Sequence, residues 1–367
     1  MRYRELGKTG LQVSEIGLGA EWLERHKEEE VKAVIDRCEA CGINILDCWM
    51  SEPHVRSNIG KALQGRREKW IIQGHFGSTW QNGQYVRTRD MAKVKEAFQD
   101  LLTRLQTDYI DLGMIHFVDS ETEFRQVMDG EFLAYVKEQK EKGRIRHIGF
   151  SSHGKPETLQ RFLEWGGDCF EFVQIQLNYL DWTMQNAKRQ YEIITEHGLP
   201  VWVMEPVRGG KLASLGKKYD AVLKQNCPEW SVPSWAFRWL LGLENVTMIL
   251  SGMSTMDQIR DNVETFRKEE PLTREQQMLL MNVAAGYQSR LAVPCTACRY
   301  CCDGCPEEID IPVWMNLYNE LSLTKDRKRW EEAMKAEKNP SACVGCGQCT
   351  AHCQRLPAHR YGCRLYE

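Results

Sequence analysis

Two runs of four cysteines near the C-terminus have a spacing that suits metal–sulfur chemistry. A cubane 4Fe-4S cluster needs a thiolate at each of four corners, and the pattern C-x2-C-x2-C-x3-C supplies three of them from one short loop. A proline follows the first run, as in the bacterial form of this pattern, whereas Gln354 follows the second. The sequence therefore predicts two 4Fe-4S clusters, whose ligands are Cys295, Cys298, Cys301 and Cys305, and Cys343, Cys346, Cys349 and Cys353.

The fourth cysteine of each run is expected to bind the cluster of the other run, as in other proteins with two such clusters. Cys353 would then complete the first cluster and Cys305 the second, so the two runs would fold as one unit. Zinc bound by four thiolates and disulfides are the alternatives, although zinc sites favour two separated C-x2-C pairs. Cys302 is a second candidate for the position of Cys301, which the match to the second run favours.

The composition of the 367-residue chain limits its partners and its compartment. A net charge of -3 gives no reason to expect nucleic acid or an acidic membrane surface as a partner. Fifteen cysteines favour a reducing cytoplasm. The polar N-terminus lacks the apolar core of a signal peptide, and no stretch approaches the roughly 20 apolar residues of a membrane span. We expect a cytoplasmic protein that acts on a small molecule. The sequence does not indicate its oligomeric state.

Strand-like apolar runs alternate with amphipathic helical stretches through most of the chain before these cysteines. Counted from the strand near Ile16, which follows an N-terminal hairpin, the alternation gives eight strand–helix units, and these suggest a closed (β/α)8 barrel. We expect an α/β protein with this TIM barrel in residues 1–290 and a mainly helical, ferredoxin-like two-cluster module in residues 291–367. The other predicted strands are 43–47, 70–74, 109–116, 146–150, 172–175, 201–204 and 247–250, and the predicted helices are 28–41, 57–64, 89–105, 131–142, 156–165, 186–197, 232–242, 255–265 and 273–289.

Several segments of the barrel resemble the aldo-keto reductase superfamily. The opening residues 3–19 (YRELGKTGLQVSEIGLG) and residues 42–47 (GINILD) carry the likeness, and 108–112 (DYIDL), 148–152 (IGFSS) and 251–254 (SGMS) agree with it. With the cysteine-rich tail, the chain is similar to the iron-sulfur branch of that superfamily. The resemblance implies an active site at the C-terminal ends of the barrel strands. It also implies hydride transfer between a nicotinamide and a carbonyl, with a tyrosine as proton donor assisted by a lysine, an aspartate and a histidine.

Two of these four residues are retained, as Asp47 and His116, and two are replaced. Glu52 stands where the family has its tyrosine, and His75 stands where it has its lysine. Our first hypothesis is an oxidoreductase in which Glu52 or His116 donates the proton, His75 tunes the donor and Asp47 orients the set. The reaction would then differ from ordinary carbonyl reduction, for instance by reducing an activated C=C bond.

Two other hypotheses account for the same substitutions. Glu52, His75 and His116 could form a two-histidine, one-carboxylate metal site that holds non-haem iron or zinc. Alternatively, the barrel could have lost catalysis and serve as an electron-transfer or regulatory protein.

Loops after the seventh and eighth strands are the expected phosphate site, because glycines admit a close backbone approach and a helix N-terminus attracts anions. By resemblance, Ser151, Ser152 and Gln174 would hold a carboxamide. Met204 replaces a ring-stacking aromatic and Thr255 a 2′-phosphate cation, which favours NAD over NADP. We expect NAD(P) or a flavin, which also handles single electrons, and a redox partner such as ferredoxin or flavodoxin. The candidate cofactor residues in these loops are Glu205, Arg208, Gly209, Gly210, Lys211, Ser251, Gly252, Ser254 and Asn262.

Overall fold

The computed structural model describes most of the chain, and its centre is a barrel of parallel strands. The described residues are 1–48, 52–268, 270–293, 295, 301–302, 304–324, 327–336 and 338–353. Cys298, one of the predicted cluster ligands, lies outside them.

Eight strands close the barrel in the order β3-β4-β5-β8-β9-β10-β11-β12, with β12 paired to β3. Every neighbouring pair is parallel. This closure confirms the predicted (β/α)8 barrel. The strands in chain order are β1 (Tyr3–Glu5), β2 (Gln12–Ser14), β3 (Ile16–Gly19), β4 (Ile45–Cys48), β5 (Ile71–Phe76), β6 (Ser78–Gln81), β7 (Gln84–Arg87), β8 (Ile110–Ile115), β9 (Ile145–Ser152), β10 (Phe172–Gln176), β11 (Val201–Met204) and β12 (Val246–Ser251).

Helices follow the barrel strands and continue into the C-terminal part of the chain. Helix α3 shows why they form, because Asp90 caps its first amides and its apolar residues Val94, Phe98, Leu101 and Leu105 face the sheet. The helices are α1 (Glu28–Ala40), α2 (Pro53–Ala62), α3 (Met91–Leu105), α4 (Glu121–Met128), α5 (Glu131–Glu141), α6 (Pro156–Gly166), α7 (Asp181–Met184), α8 (Ala187–Glu196), α9 (Lys217–Asn226), α10 (Val232–Leu241), α11 (Met256–Lys268), α12 (Arg274–Gln288), α13 (Ile311–Thr324), α14 (Lys328–Ala333) and α15 (Gln348–His352).

The hairpin β6–β7 was not predicted, and neither were the helices α4, α7 and α9. Strands β6 and β7 pair in the antiparallel sense after the end of β5. Asn82 and Gly83 turn the chain between them with φ values of 52° and 78°. An Asn-Gly pair with two positive φ values is a strong signal for a two-residue hairpin turn, so the sequence did contain the information.

The bottom of the barrel is closed by the N-terminal hairpin β1–β2. Leu6 and Val13 from this hairpin pack with Ile45, Leu112 and Trp202 in the barrel interior, and all five side chains are buried. Burying each aliphatic side chain of this size contributes about 1.5–3 kcal/mol. A second, larger core fills the space between the sheet and the surrounding helices. The packed lower end leaves the C-terminal ends of the strands as the place for a site.

The described cysteine-rich segment is helical and has a small core of its own. Ile309, Trp314 and Leu317 form this core, and Cys305 and Cys343 pack against it. Cysteines from the two different runs thus share one apolar cluster. The predicted division at residue 290 and the ferredoxin-like character of this module remain predictions. Among the helices that the structure describes, none is long and apolar enough to cross a membrane.

Candidate functional site

Three ionisable side chains form a hydrogen-bonded chain at the C-terminal ends of neighbouring barrel strands. Asp47 and His75 lie one residue before the ends of β4 and β5, and His116 follows β8. Asp47 Oδ1 is 2.7 Å from His75 Nε2, and His75 Nδ1 is 3.1 Å from His116 Nδ1. The side chains of Asp47 and His75 are almost entirely buried. The structure therefore brings together three of the four predicted catalytic residues, and we call them the relay.

The hydrogen-bonding capacity of these groups fixes the order of donors in the relay. An ionised Asp47 accepts only, so His75 must carry its proton on Nε2 and present a lone pair at Nδ1. His116 then donates from Nδ1, which leaves Nε2 of a neutral His116 as a proton acceptor. The opposite tautomer of His75 would place two acceptors 2.7 Å apart. The relay can therefore take up a proton at His116 and spread the resulting charge toward Asp47.

Burial keeps His116 neutral. The surrounding protein, and next the neighbouring His75, hold the pKa of His116 well below its usual range. Tyr85 from the unpredicted hairpin lies edge-on to the His116 ring, with the ring centroids 6.2 Å apart. Arg89 donates hydrogen bonds to the carbonyls of His116 and Phe117, at 2.8 and 2.7 Å. Sequence reasoning missed Tyr85 and Arg89 because it missed the hairpin that positions them.

Glu52 has a different place from the one predicted. It is the N-cap of α2, where its Oε2 accepts from the Val55 amide at 2.8 Å. Its Oε1 is 2.6 Å from Nδ1 of His54. Both carboxylate oxygens are thus occupied by the first turn of the helix. Among the described residues, which include Glu52, His75 and His116, no three histidine, cysteine or acidic side chains converge to hold a metal ion. The structure therefore does not support the facial-triad alternative.

Two glutamines, one of them unpredicted, extend the relay across the barrel interior. Gln73 of β5 lies 3.2 Å from His75 Nε2 and donates to Gln174 Oε1 of β10 at 2.9 Å. Rotating the amides of Gln73 and Gln174 together by 180° lets the Gln73 oxygen accept from both the Gln174 amide and His75 Nε2, so that it and Asp47 share the His75 N–H. Gln174 Nε2 lies 3.7 Å from the sulfur of Met204. Gln174, expected to bind a carboxamide, here bonds within the chain. Its partner Gln73 is separated from His75 by one residue on the same strand, which was a usable signal.

The other residues expected to bind a carboxamide also bond to the chain. Ser151 Oγ accepts from the Phe117 amide at 3.1 Å. Ser152 Oγ donates to the Val118 carbonyl at 2.8 Å. Both serines thereby hold the segment after His116 against β9.

The loop after β11 is filled by its own side chains. The Glu205 carboxylate folds back over the Gly209 backbone. Burial, and next Asp181, raise the pKa of Glu205. Arg208 is buried, its Nη2 donates to the Cys295 carbonyl at 2.9 Å, and its Nε is 3.3 Å from Asp181 Oδ2. The backbone and guanidinium that a pyrophosphate would require are therefore engaged, and this loop as it stands does not fit a dinucleotide.

The loop after β12 is similarly engaged. Asn262 donates to Ser251 Oγ at 2.9 Å. The Ser254 amide, at the start of the helix expected to bind an anion, donates to Gln258 Oε1 at 2.9 Å. Trp22 stands so close to Gly252 that an added Cβ would lie 2.4 Å from its Cδ1. The glycine is needed here for the approach of Trp22, and the helix N-terminus is capped by the chain itself.

Glu21 is a further ionisable group at the mouth that sequence reasoning did not select. It lies in the short 3-10 helix Ala20–Arg25 directly after β3. Burial, and next the nearby Glu205, raise its pKa to about 7. Its position just beyond the end of a barrel strand was the available signal.

The described cysteines of the two runs take part in no disulfide. They are Cys295, Cys301, Cys305, Cys343, Cys346, Cys349 and Cys353. Backbone amides approach two of the sulfur atoms at 3.4 Å, Ile309 at Cys305 and Gly345 at Cys343. Amide donors to ligand sulfurs are among the groups that tune iron–sulfur clusters. Among the described residues these thiols do not form a ready metal-binding group. The donor set and the shared core of Cys305 and Cys343 fit clusters better than disulfides.

Comparison with known proteins agrees with the geometry of the barrel. Residues 15–283 match the Aldo/keto reductase family, and the chain belongs to this family. The matched residues end before the first cysteine run begins at Cys295. The solved structure of aldo-keto reductase AKR11C1 from Bacillus halodurans, in its holo form, is similar with a TM-score of 0.65 and 28% sequence identity. The similarity covers 77% of this chain and 96% of that one.

Two curated relatives are also similar to this chain over most of their own length. The uncharacterized oxidoreductase YqkF of Bacillus subtilis is 27% identical over 72% of this chain and 90% of its own length. The NADH-specific methylglyoxal reductase of Escherichia coli is 24% identical over 70% of this chain and 89% of its own length. The protein is accordingly an enzyme of the oxidoreductase class. The alternative of a non-catalytic barrel is not supported by these matches.

Proposed function

We propose that the protein is an iron-sulfur oxidoreductase that acts on a small organic substrate at the mouth of the barrel. The relay moves the proton, and electrons pass one at a time through two 4Fe-4S clusters bound by the cysteine runs. The observation that carries this proposal is the chain from Asp47 through His75 to His116, at the positions where the resemblance places the family's aspartate, lysine and histidine. The clusters would supply single-electron transfer, which the side chains of the barrel cannot provide.

The relay explains how a site without the tyrosine and lysine of the family can still transfer a proton. His116 accepts a proton at Nε2 when the substrate is oxidised and returns it when the substrate is reduced. His75 shares the charge, and the buried Asp47 stabilises it, since a carboxylate behind an imidazole fixes both its tautomer and its orientation. His116 alone would be a poor base in a buried site, because desolvation disfavours its charged form.

The residues present fit the ligation of clusters by cysteine. This part of the proposal does not depend on the relay. Cys305 and Cys343 share one small core, which supports the expected exchange of the fourth ligand between runs. One relative is named as NADH-specific, whereas the loops after β11 and β12 of this chain are occupied by Glu205 and Gln258. We therefore assign no step to a nicotinamide. The expected external donor is a small redox protein such as ferredoxin or flavodoxin.

The proposal is tested with anaerobically purified protein and the variant Asp47→Asn. Turnover is measured with reduced dye against a panel of carbonyls and activated alkenes, beside iron content and cluster absorbance. Asp47→Asn is expected to lose about 10²–10⁴-fold in turnover, because its amide stabilises the wrong tautomer of His75. Its iron content should stay at about eight per chain, four for each predicted cluster.

Asp90→Asn is the matched control, since Asp90 caps α3. Equal turnover in the two variants would refute the relay, and wild-type protein that lacks cluster iron would refute the electron path.

A further inference from the structure

We propose that the loop after β11, residues 205–212, is the docking site of the first cysteine run and does not bind a dinucleotide. Electrons would then enter the barrel mouth beside Cys295, where Arg208 anchors the run. This inference rests on the proposed function for the presence of a cluster, and it adds where that cluster meets the barrel and which cofactor the barrel excludes.

Arg208 provides the direct contact between the two parts of the chain. Its guanidinium donates to the Cys295 carbonyl at 2.9 Å and contacts Asp181 Oδ2 at 3.3 Å, and its side chain is only 5% exposed. Asp181 is itself fully buried and accepts from Gln176 and Asn178. Turning Arg208 toward an external phosphate would leave a buried carboxylate without its cation, and breaking a buried pair in this way is strongly destabilising.

Glu205 fills the position of an anion in the same loop. Its carboxylate lies against the Gly209 backbone, and its Oε2 is 3.5 Å from the point where a Cβ on Gly209 would sit. Glu205 also has a φ of 58°, a left-handed conformation that strains a non-glycine residue. Asn178 donates to the Glu205 carbonyl at 3.0 Å and holds this conformation. A pyrophosphate entering here would have to displace a resident carboxyl group that lies against the same backbone.

The charge of the loop also suits a cysteine thiolate. Lys211 interacts electrostatically with both Arg208 and Cys295. A cation and a guanidinium beside one ligand stabilise the more negative, reduced state of a cluster, since net charge near a cluster sets its potential. The same two cations that would be expected to grip a phosphate are thus placed to serve a cluster ligand.

The chain just before Cys295 makes a second contact, with helix α13. Asn319 of α13 makes two hydrogen bonds to the backbone of Val293, at 2.8 and 2.7 Å, and Val293 is buried. The chain entering the cysteine run is therefore held by α13 at Val293 and by the barrel loop at Cys295. Two anchors separated by one residue fix the position of the run more firmly than either contact alone.

The first measurement uses the full-length wild-type protein, purified anaerobically with its clusters. NADH and NADPH are titrated separately, with protein fluorescence as the signal. We expect no saturable binding up to millimolar nucleotide. Saturable binding at micromolar concentration would overturn the exclusion of a dinucleotide, and this measurement requires no variant.

The second measurement compares Arg208→Gln with Arg189→Gln in the same full-length protein. Arg189 is an exposed arginine of α8 paired with Glu196 and is the control. Redox titration followed by electron paramagnetic resonance should show a more negative cluster potential in Arg208→Gln, by up to a tenfold change in the equilibrium, about 59 mV. Limited proteolysis should cut the segment around Cys295 faster in this variant only.

Wild-type protein without a cluster signal would refute the proposed function itself. Clusters present in wild type, with potential and cleavage unchanged in Arg208→Gln, would refute the docking and leave the proposed function standing. If Arg208→Gln does not fold, the paired variant Asp181→Asn/Arg208→Gln removes both buried charges together, and the same shift and faster cleavage are expected.

Discussion

Two arginines at the mouth of the barrel differ in the backbone segment to which they donate hydrogen bonds. Arg89, near the end of β8, donates to the backbone carbonyls of His116 and Phe117. Arg208, after β11, donates to the backbone carbonyl of Cys295. The first therefore fixes the segment that carries the proton relay, and the second fixes the segment expected to carry electrons. Under the proposed function, proton transfer and electron entry would therefore take place at different parts of one rim.

Replacing Arg89 is expected to have the largest effect on the free energy of unfolding. Arg89→Met leaves two carbonyls without their donor and loses the stacking of the guanidinium on Phe117, 4.1 Å from the ring centroid. We expect the free energy of unfolding to fall by about 2–4 kcal/mol, since each buried unpaired acceptor costs about 1–3 kcal/mol. Turnover should fall about tenfold or more because His116 is no longer held. Anaerobic urea denaturation followed by circular dichroism measures the stability.

Arg144→Met is the control for this change. Arg144 also stacks on a phenylalanine, Phe98, but donates to glutamine side chains at the opposite end of the barrel. A loss of stability in Arg144→Met equal to that in Arg89→Met would show that stacking, rather than the hold on the His116 segment, accounts for the effect. The proposed role of Arg89 in holding the His116 segment would then be refuted.

The pH dependence of stability sharpens the same contrast. The folded pKa of His116 is lowered, so below about pH 6.5 the unfolded chain takes up a proton that the folded chain does not. Stability should therefore fall as the pH is lowered from about 6.5, with a limiting slope of about 1.4 kcal/mol per pH unit from this group. His116→Gln should be less sensitive to pH than wild type across this window, measured as the difference in unfolding free energy.

Tyr85→Phe keeps both the aromatic edge beside His116 and the histidine itself. It is expected to retain the wild-type slope. If His116→Gln and wild type have the same slope between about pH 5 and 6.5, then His116 is not a buried neutral base.

The sequence was informative about the barrel because periodic apolar strands and amphipathic helices are local features. Strand 201–204 was placed to the residue, and the position of His75 at a strand end was inferred correctly. The contact between His75 and His116 depends on two strands meeting 41 residues apart, and only the closed sheet shows its distance. Tyr85 and Arg89 required the hairpin, whose Asn-Gly turn was readable but not used.

The loop after β11 was harder to predict, because its residue types suit both phosphate binding and contacts within the chain. Glycines and cations suggested a phosphate site, and the local sequence is consistent with that reading. Whether an amide is free to bind a ligand depends on side chains folding back, as Glu205 does onto Gly209, and on segments far along the chain, as Cys295 is from Arg208. Long-range contacts of this kind have no signature in a single sequence.

Glu52 provides the smallest and most discriminating test of the relay. The sequence offered Glu52 or His116 as the proton donor, whereas the structure places Glu52 as the N-cap of α2 with Val55 and His54 at its two oxygens. Glu52→Gln should cost about 0.5–2 kcal/mol of stability, as other lost caps do, and lower turnover less than about tenfold. Asp90→Ala, which removes the cap of α3, is the control for the structural part.

The comparison of turnover decides between the two roles, because a cap and a proton donor differ in chemistry and not in stability. Both cap variants should lose similar stability. If Glu52→Gln then loses turnover by the 10²–10⁴-fold expected of Asp47→Asn, while Asp90→Ala does not, the carboxylate of Glu52 takes part in proton transfer. The proton side of the rim would then extend from β8 and β5 to the start of α2. Turnover that follows stability in both variants confines proton transfer to Asp47, His75 and His116.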